Sequence, residues 1–185
     1  MALTTPAGPF FSHPCGDGVE LVLRSLSTTV EMHELTLANL DRLRSWEQWA
    51  GLEPTLPATF ETTQQRLDAF IRGAALPCAI RLDGVLVGSV DLSVDLVEST
   101  GELGCWVDSS VEGTGVARLA CAAILDHAFA FGLSRIEARI ASGDLRSAHV
   151  VGGVRQDIAL YGIVAEDRRP LTRAASPFDV VLKAS

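Results

Sequence analysis

Basic charge is scarce in this 185-residue chain: 15 Lys and Arg stand against 23 Asp and Glu, a formal net charge of −8. That balance argues against a surface built to neutralise nucleic-acid phosphates or anionic lipid. It suits a cationic ligand such as an amine or a basic peptide, and equally it suits plain solubility. Long apolar runs are missing, and no segment approaches the length of a membrane span. The opening residues, Met1 to Pro9, lack both a basic region and an apolar core, so no secretory signal is expected there. Cys15, Cys78, Cys105 and Cys121 form no Cys-x-x-Cys pair, and His13, His33, His127 and His149 have no ligand spacing. No metal is therefore expected, and the thiols read as buried and reduced in a cytoplasmic protein. There is no internal repeat and no low-complexity run.

What is present is a hydrophobic fraction of 48% with 21% charged residues, which at this length fills one domain. Residues 1–18, rich in Pro, Gly and Thr, read as an irregular lead-in, 19–169 as the domain, and 170–185 as a tail. Val19, Leu21 and Leu23 alternate with Glu20, Val22 and Arg24 as a first strand. Ser27 is placed to cap a helix running to about Asn39, and a second helix is expected from Glu61 to Arg72, stopped by Gly73. Cys78 to Leu82 and Val85 to Asp95 read as a hairpin about Asp83-Gly84, a pair that supplies the positive φ angles of a primed turn. On its second arm Val90, Leu92 and Val94 point opposite to Asp91, Ser93 and Asp95.

Glu98 to Val107 is a further strand. A helix from Val116 to Phe131 follows, with Val116, Leu119, Ala120, Ala123, Ile124, Ala128 and Phe131 on one stripe and Gly132 as its stop. Ile136 to Ile140 alternates as another strand, and Ile158 to Ala165 reads as a late strand buried on both faces. The pattern is α/β (α+β): one domain, a mixed and mostly antiparallel sheet flanked by helices.

Glu112-Gly113-Thr114-Gly115-Val116-Ala117 lies at the strand-to-helix junction. Two glycines there leave backbone N–H groups uncovered at a helix N-terminus, where unmet donors and the helix dipole favour an anion. The spacing matches neither a Walker loop nor a dinucleotide fingerprint, and a plain turn has the same local signature.

The order of motifs resembles the GNAT acetyltransferase superfamily, in particular its RimJ/RimL-type branch. Four further pieces carry the resemblance: Leu43-Arg44-Ser45-Trp46-Glu47-Gln48-Trp49, Asp83 to Gly88, Glu102-x-Gly104-Cys105-Trp106, and Asp157-Ile-Ala-Leu-Tyr161. The resemblance spans about Val19 to Arg169. It implies an N-acetyltransferase that uses acetyl-CoA on a primary amine, most typically a protein N-terminus, with a small-molecule amine as the alternative acceptor.

In that frame Gly113, Thr114, Gly115, Val116 and Ala117 bind the pyrophosphate through backbone amides, and Cys105, Trp106 and Val107 line the pantetheine arm by strand addition. Glu102 is the candidate general base, its other reading being a solvated strand-edge residue. A modest base suffices for an α-amine, which titrates near about 8 against about 10.4 for lysine. Ser147 is the candidate for stabilising or protonating the departing thiolate, or else a cap or loop hydroxyl. The resemblance also implies a homodimer.

Three departures stand out. Glu112 occupies a position where the branch prefers Gln or Arg, so a carboxylate stands beside the expected pyrophosphate unless it turns to solvent. Asp144 replaces an Asn. Only Ala148 to Gln156 separate Ser147 from Asp157, too few for the helix and strand of the family pattern. The shortening opens a second reading, a non-catalytic module that keeps the CoA site; an unrelated nucleotide binder is a third. Among lesser features, His127 reads as a packed or capping residue, and neither Cys105 nor Cys121 has a histidine partner in sequence. Trp46 and Trp49 fit either a core turn or a pocket wall. Arg168, Arg169 and Arg173 read as a solvated patch or as a reach toward a 3′-phosphate.

Overall fold

The computed structural model describes residues 12–44, 47–141, 148–151 and 154–164. Eight strands are present among the described residues: β1 (Ser12–Gly16), β2 (Val19–Leu23), β3 (Ala75–Leu82), β4 (Val85–Asp95), β5 (Thr100–Val107), β6 (Arg135–Ala141), β7 (Ala148–Val151) and β8 (Val154–Val164). Their spatial order is β1-β2-β3-β4-β5-β6-β8-β7. All neighbours are antiparallel except β5 and β6, which run parallel. A parallel pair needs a crossover, and α4 (Val116–Phe131) supplies it. It covers one face of the sheet, while α1 (Thr29–Ala38) and α3 (Leu56–Ile71) cover the other, with the short α2 (Leu40–Leu43) between them.

The larger core lies under α4. Leu21, Ile80, Val90, Leu92, Leu103 and Ile136 meet Val116, Ala120, Cys121, Ile124, Leu125 and Ala128. On the opposite face Val22, Ala79 and Leu86 pack with Met32. The strand period of two therefore sends Leu21 and Val22 into different layers, and it sends Val90 and Leu92 away from Asp91 and Ser93. The hairpin turn has Asp83 at φ 50° and Gly84 at φ 83°, both positive as a primed turn demands.

Several boundaries differ from the sequence reading. Ser12–Gly16 is a strand within the stretch expected to be irregular. Gly16, Asp17 and Gly18 all take positive φ and fold it back onto β2; Pro14 is tolerated because the strand is an edge. The first helix opens as a 3-10 turn at Leu26–Thr28 before α1. α3 begins at Leu56, earlier than Glu61, because Thr55 caps it by accepting from the Ala58 N–H and Pro57 fits the first turn. Phe131, expected on the buried stripe of α4, is 64% exposed, while Cys121, not expected on that stripe, is buried in the core. β8 starts at Val154 rather than Ile158, and its far end is not covered on both faces: Ile163 and Val164 are half-buried and Gly162 is exposed.

Candidate active site

Two features of β5 define the site. The first is a divergence. β5 stays paired with β4 along its whole length, from Thr100 to Val107, but its pairing with β6 ends at Leu103 opposite Ala138. β6 continues to Ala141 on β8. Gly104 to Val107 therefore present a strand edge with no neighbour on that side among the described residues, the type of edge that accepts an extended amide-bearing ligand. The carbonyl of Val107 is already taken, by the Arg42 guanidinium.

The unpaired edge leads into the glycine turn. Gly113 has φ 72° and Gly115 φ 91°, so both occupy the left-handed region, and a Cβ on Gly113 would meet nothing within 4 Å. Gly115 caps α4 without a side chain. Among the described residues the N–H groups of Gly113, Gly115, Val116 and Ala117 find no acceptor. The Thr114 hydroxyl donates to the Val111 carbonyl at 2.6 Å, so it serves the turn itself. Open backbone, uncovered amides and a sixteen-residue helix behind them are the conditions for holding a diphosphate.

Glu112 does not stand as a bare carboxylate. It pairs with Arg42 of α2, the same guanidinium that binds the Val107 carbonyl. Asn39, between α1 and α2, donates to Asp108 at 2.6 Å and accepts from the Ser109 N–H at 3.3 Å. Hydrogen bonds from Ser110 and Asn39 hold the Asp108 carboxyl below its ordinary range. The turn is thus fastened to the α1–α2 corner by two side chains.

The second feature is a cleft of about 770 Å³ on the α1/α3 face. Its floor is Ser89, Asp91 and Ser93 of β4 with Glu102, Gly104 and Trp106 of β5; Thr36, Thr59 and Arg66 wall it, and Glu47, Trp49 and Glu53 form the rim. His33 Nδ1 and Thr59 Oγ1, 3.0 Å apart, tie the two walling helices together. Arg66 binds both carboxylate oxygens of Asp91 and lies 3.4 Å from the Ser93 hydroxyl. Burial still pushes the Asp91 carboxyl up, outweighing Arg66 and Arg24 beside it. Burial likewise raises Glu47, against a hydrogen bond from Trp49. A Cβ on Gly104 would meet nothing within 4 Å, so the cleft is open directly above it, between Glu102 and Trp106. The strand edge and the cleft meet at Gly104.

Of the residues expected from sequence, Glu102, Gly104 and Trp106 share the cleft floor, and Cys105 and Val107 lie on the same strand facing α4. Cys105 approaches Cys121 in that core; the contact, with burial, pushes its thiol well above the ordinary value. Gly113 to Ala117 form the turn. Ser147, Asp144, Trp46 and Arg168, Arg169 and Arg173 lie outside the described residues. Trp49 lines the cleft and is 52% exposed, so of its two readings the pocket wall holds. His127 is exposed rather than packed. Arg24, Arg66 and Asp91 were not singled out in the sequence; the alternation of Val90, Asp91, Leu92 and Ser93 carried the signal for Asp91 only. Among the described residues no group of three His, Cys, Asp or Glu is arranged to hold a metal, and no helix is long and apolar enough to cross a membrane.

With a split strand, an amide-lined turn and a cleft joined at one glycine, the chain belongs to the GNAT acetyltransferase domain family, whose model matches residues 20–154. Its relatives are of the RimJ/RimL type. The Bacillus subtilis protein YdaF, assigned by name to ribosomal N-acetylation, is 26% identical over 157 residues, covering 72% of this chain and 84% of its own. Mycobacterium smegmatis RimJ, solved with a CoA disulfide, superposes with a TM-score of 0.73 at 25% identity over 88% of this chain and 89% of that one. RimL, the ribosomal L7/L12 α-N-protein acetyltransferase solved with coenzyme A, gives a TM-score of 0.77 at 18% identity over 84% and 98%. An unrelated nucleotide binder is ruled out by the family match.

Proposed function

We propose that this protein acetylates the α-amine of a protein N-terminus, with acetyl-CoA as the acyl donor. The observation that carries the reading is the junction at Gly104 between the unpaired edge of β5 and the acid-lined cleft. The open amides of Gly113, Gly115, Val116 and Ala117 would hold the pyrophosphate, the Thr114 N–H being engaged with the Val111 carbonyl, and Gly104 to Val107 would hold the amide-bearing arm. The Glu112–Arg42 pair offsets the charge that the sequence placed beside the phosphates. When bound, the donor supplies an acetyl group activated as a thioester.

The chain's own residues do the rest. The carboxylates of Glu47, Glu53, Asp91 and Glu102 outnumber the cations of Arg24 and Arg66 in the cleft, which draws in an ammonium. Glu102 accepts a proton from that ammonium, directly or through water, and leaves a neutral amine above Gly104. Ser147 is assigned to the departing sulfur on the resemblance alone. A cytoplasmic homodimer is part of the proposal on the same ground, and light scattering on a sizing column reads the dimer.

A thiol-release assay with acetyl-CoA across a panel of peptides and small amines tests the reaction. Turnover favouring peptide α-amines is expected, and Glu102→Gln should slow it by about 10²- to 10⁴-fold while CoA binding by calorimetry holds. A second reading rests on the β7–β8 hairpin, which occupies the short segment where the family pattern has a helix and strand. It gives a module that binds CoA and transfers nothing. Heat of binding without turnover on any acceptor would favour it, and absence of heat would end both readings.

A further inference from the structure

Arg24 lines the cleft beside Asp91 and, among the described residues, donates no side-chain hydrogen bond. It follows Val22 and Leu23 on β2, and the period of two places it on the same face as Val22, toward α1 and α3. Its backbone N–H bonds the Pro77 carbonyl at 3.0 Å, Pro77 stands opposite Asp91, and Asp91 opposite Gly104. Arg24, Pro77, Asp91 and Gly104 therefore form one row across four strands, spanning roughly 14 Å at about 4.8 Å per strand. Asp91 is held by Arg66 through both oxygens, and no hydrogen-bond partner of the Arg24 guanidinium lies among the described residues. Two guanidinium groups and one carboxylate leave this end of the cleft with a surplus positive charge. The Glu102 end carries the opposite sign.

We infer that the acceptor is dipolar, with a carboxylate near its amine, and that Arg24 selects it by binding that carboxylate. The inference rests on the acceptor reading above and names the class of acceptor. An extended peptide advances about 3.3–3.6 Å per residue, so an amine above Gly104 carries over Asp91 toward Arg24 its second or its third side chain, whichever the alternation of an extended chain turns to the cleft floor. Asp91 is already neutralised by Arg66 and does not oppose an incoming acid. An acidic side chain at either position, or the terminal carboxylate of a free short peptide, supplies the same chemistry.

The test uses the full-length protein and C-terminally amidated hexapeptides differing only in Asp or Asn at position two or three, beside a free dipeptide and its amide. Charge-assisted hydrogen bonds of this type predict about a ten- to hundredfold preference in kcat/KM for the acid, carried mainly by KM. Arg24→Gln should abolish the preference, Arg24→Lys should keep part of it, and Arg24→Glu should turn it toward a Lys-bearing peptide. The dipeptide pair separates a terminal carboxylate from a side-chain one. Equal use of Asp and Asn peptides by the wild type, or a preference that survives Arg24→Gln, overturns the inference and leaves the transferase reading intact. If nothing is turned over, the transferase reading fails. Binding of the same peptides, read by fluorescence of Trp49 and Trp106 in the cleft, then decides: acid-selective binding lost in Arg24→Gln supports the inference, and unselective binding overturns it.

Discussion

Gly104 offers a way to separate stability from activity with one side chain. Its φ is not in the left-handed region, and a Cβ placed on it meets nothing within 4 Å, so the fold tolerates Ala there without strain, and a longer side chain would extend into the cleft. Replacing glycine within a strand removes freedom from the unfolded chain and stabilises by about 0.5–1 kcal/mol. For a protein of this size that corresponds to a rise in Tm of roughly 1–4 °C. Activity should move the other way. Reacting atoms must lie about 3–3.5 Å apart, and a displacement of about 1 Å costs on the order of a hundredfold. A methyl group on the floor between Glu102 and Trp106 imposes such a displacement, so Gly104→Ala should lose roughly one to two orders of magnitude in kcat/KM, and Gly104→Leu more than about 10³-fold. Because the added side chain points into the cleft, CoA affinity should remain within about threefold by calorimetry. Differential scanning fluorimetry and the thiol-release assay read the two effects. Gly104→Leu with near-wild-type kcat/KM would refute the placement of the amine, and a lower Tm would refute the open geometry.

Gly115→Val forces a β-branched residue to φ 91°, which should destabilise by about 1–2 kcal/mol and weaken CoA binding at least about tenfold in calorimetry. Ile124, 2% exposed beneath the sheet, should cost about 2–5 kcal/mol as Ile124→Ala, a fall in Tm of roughly 4–20 °C. Burial raises the Glu47 carboxyl, so the native state retains a proton that the unfolded chain, titrating near about 4.3, has released. Stability therefore falls as pH rises from the unfolded value through the raised native one, and urea melts of Glu47→Gln should lack that fall and be the more stable at neutral pH. Burial pushes the Cys78 thiol up to about 12, so iodoacetamide at about pH 8 should leave it unmodified in the native protein by mass spectrometry, while the urea-unfolded chain reacts.

The layers of this fold were legible where periodicity is strong. The alternation in Val85 to Asp95 placed Val90 and Leu92 in the core and Asp91 on the other face, and the Asp83-Gly84 pair marked the hairpin. The glycine junction was legible because two glycines at a strand-to-helix boundary have a backbone consequence that needs no neighbours. The start of α3 was missed although Thr55 and Pro57 announced it, since the apolar period weakens there and the cap alone carries the signal. β1 was missed because a Pro- and Gly-bearing edge strand owes its form to pairing with β2, which short-range pattern does not encode. Arg24, Arg66 and Asp91 converge from β2, α3 and β4, and the partner that quenches Glu112 lies far off in sequence on α2. Such meetings are products of topology.

Asn39 and Arg42 have a consequence for the order of events. They bolt the amide-bearing turn to the corner that extends from the cleft wall, so stiffening either side stiffens the other. Any gain in grip for the acceptor once the nucleotide end is filled must be matched, factor for factor, by a gain for the nucleotide end once the acceptor is seated.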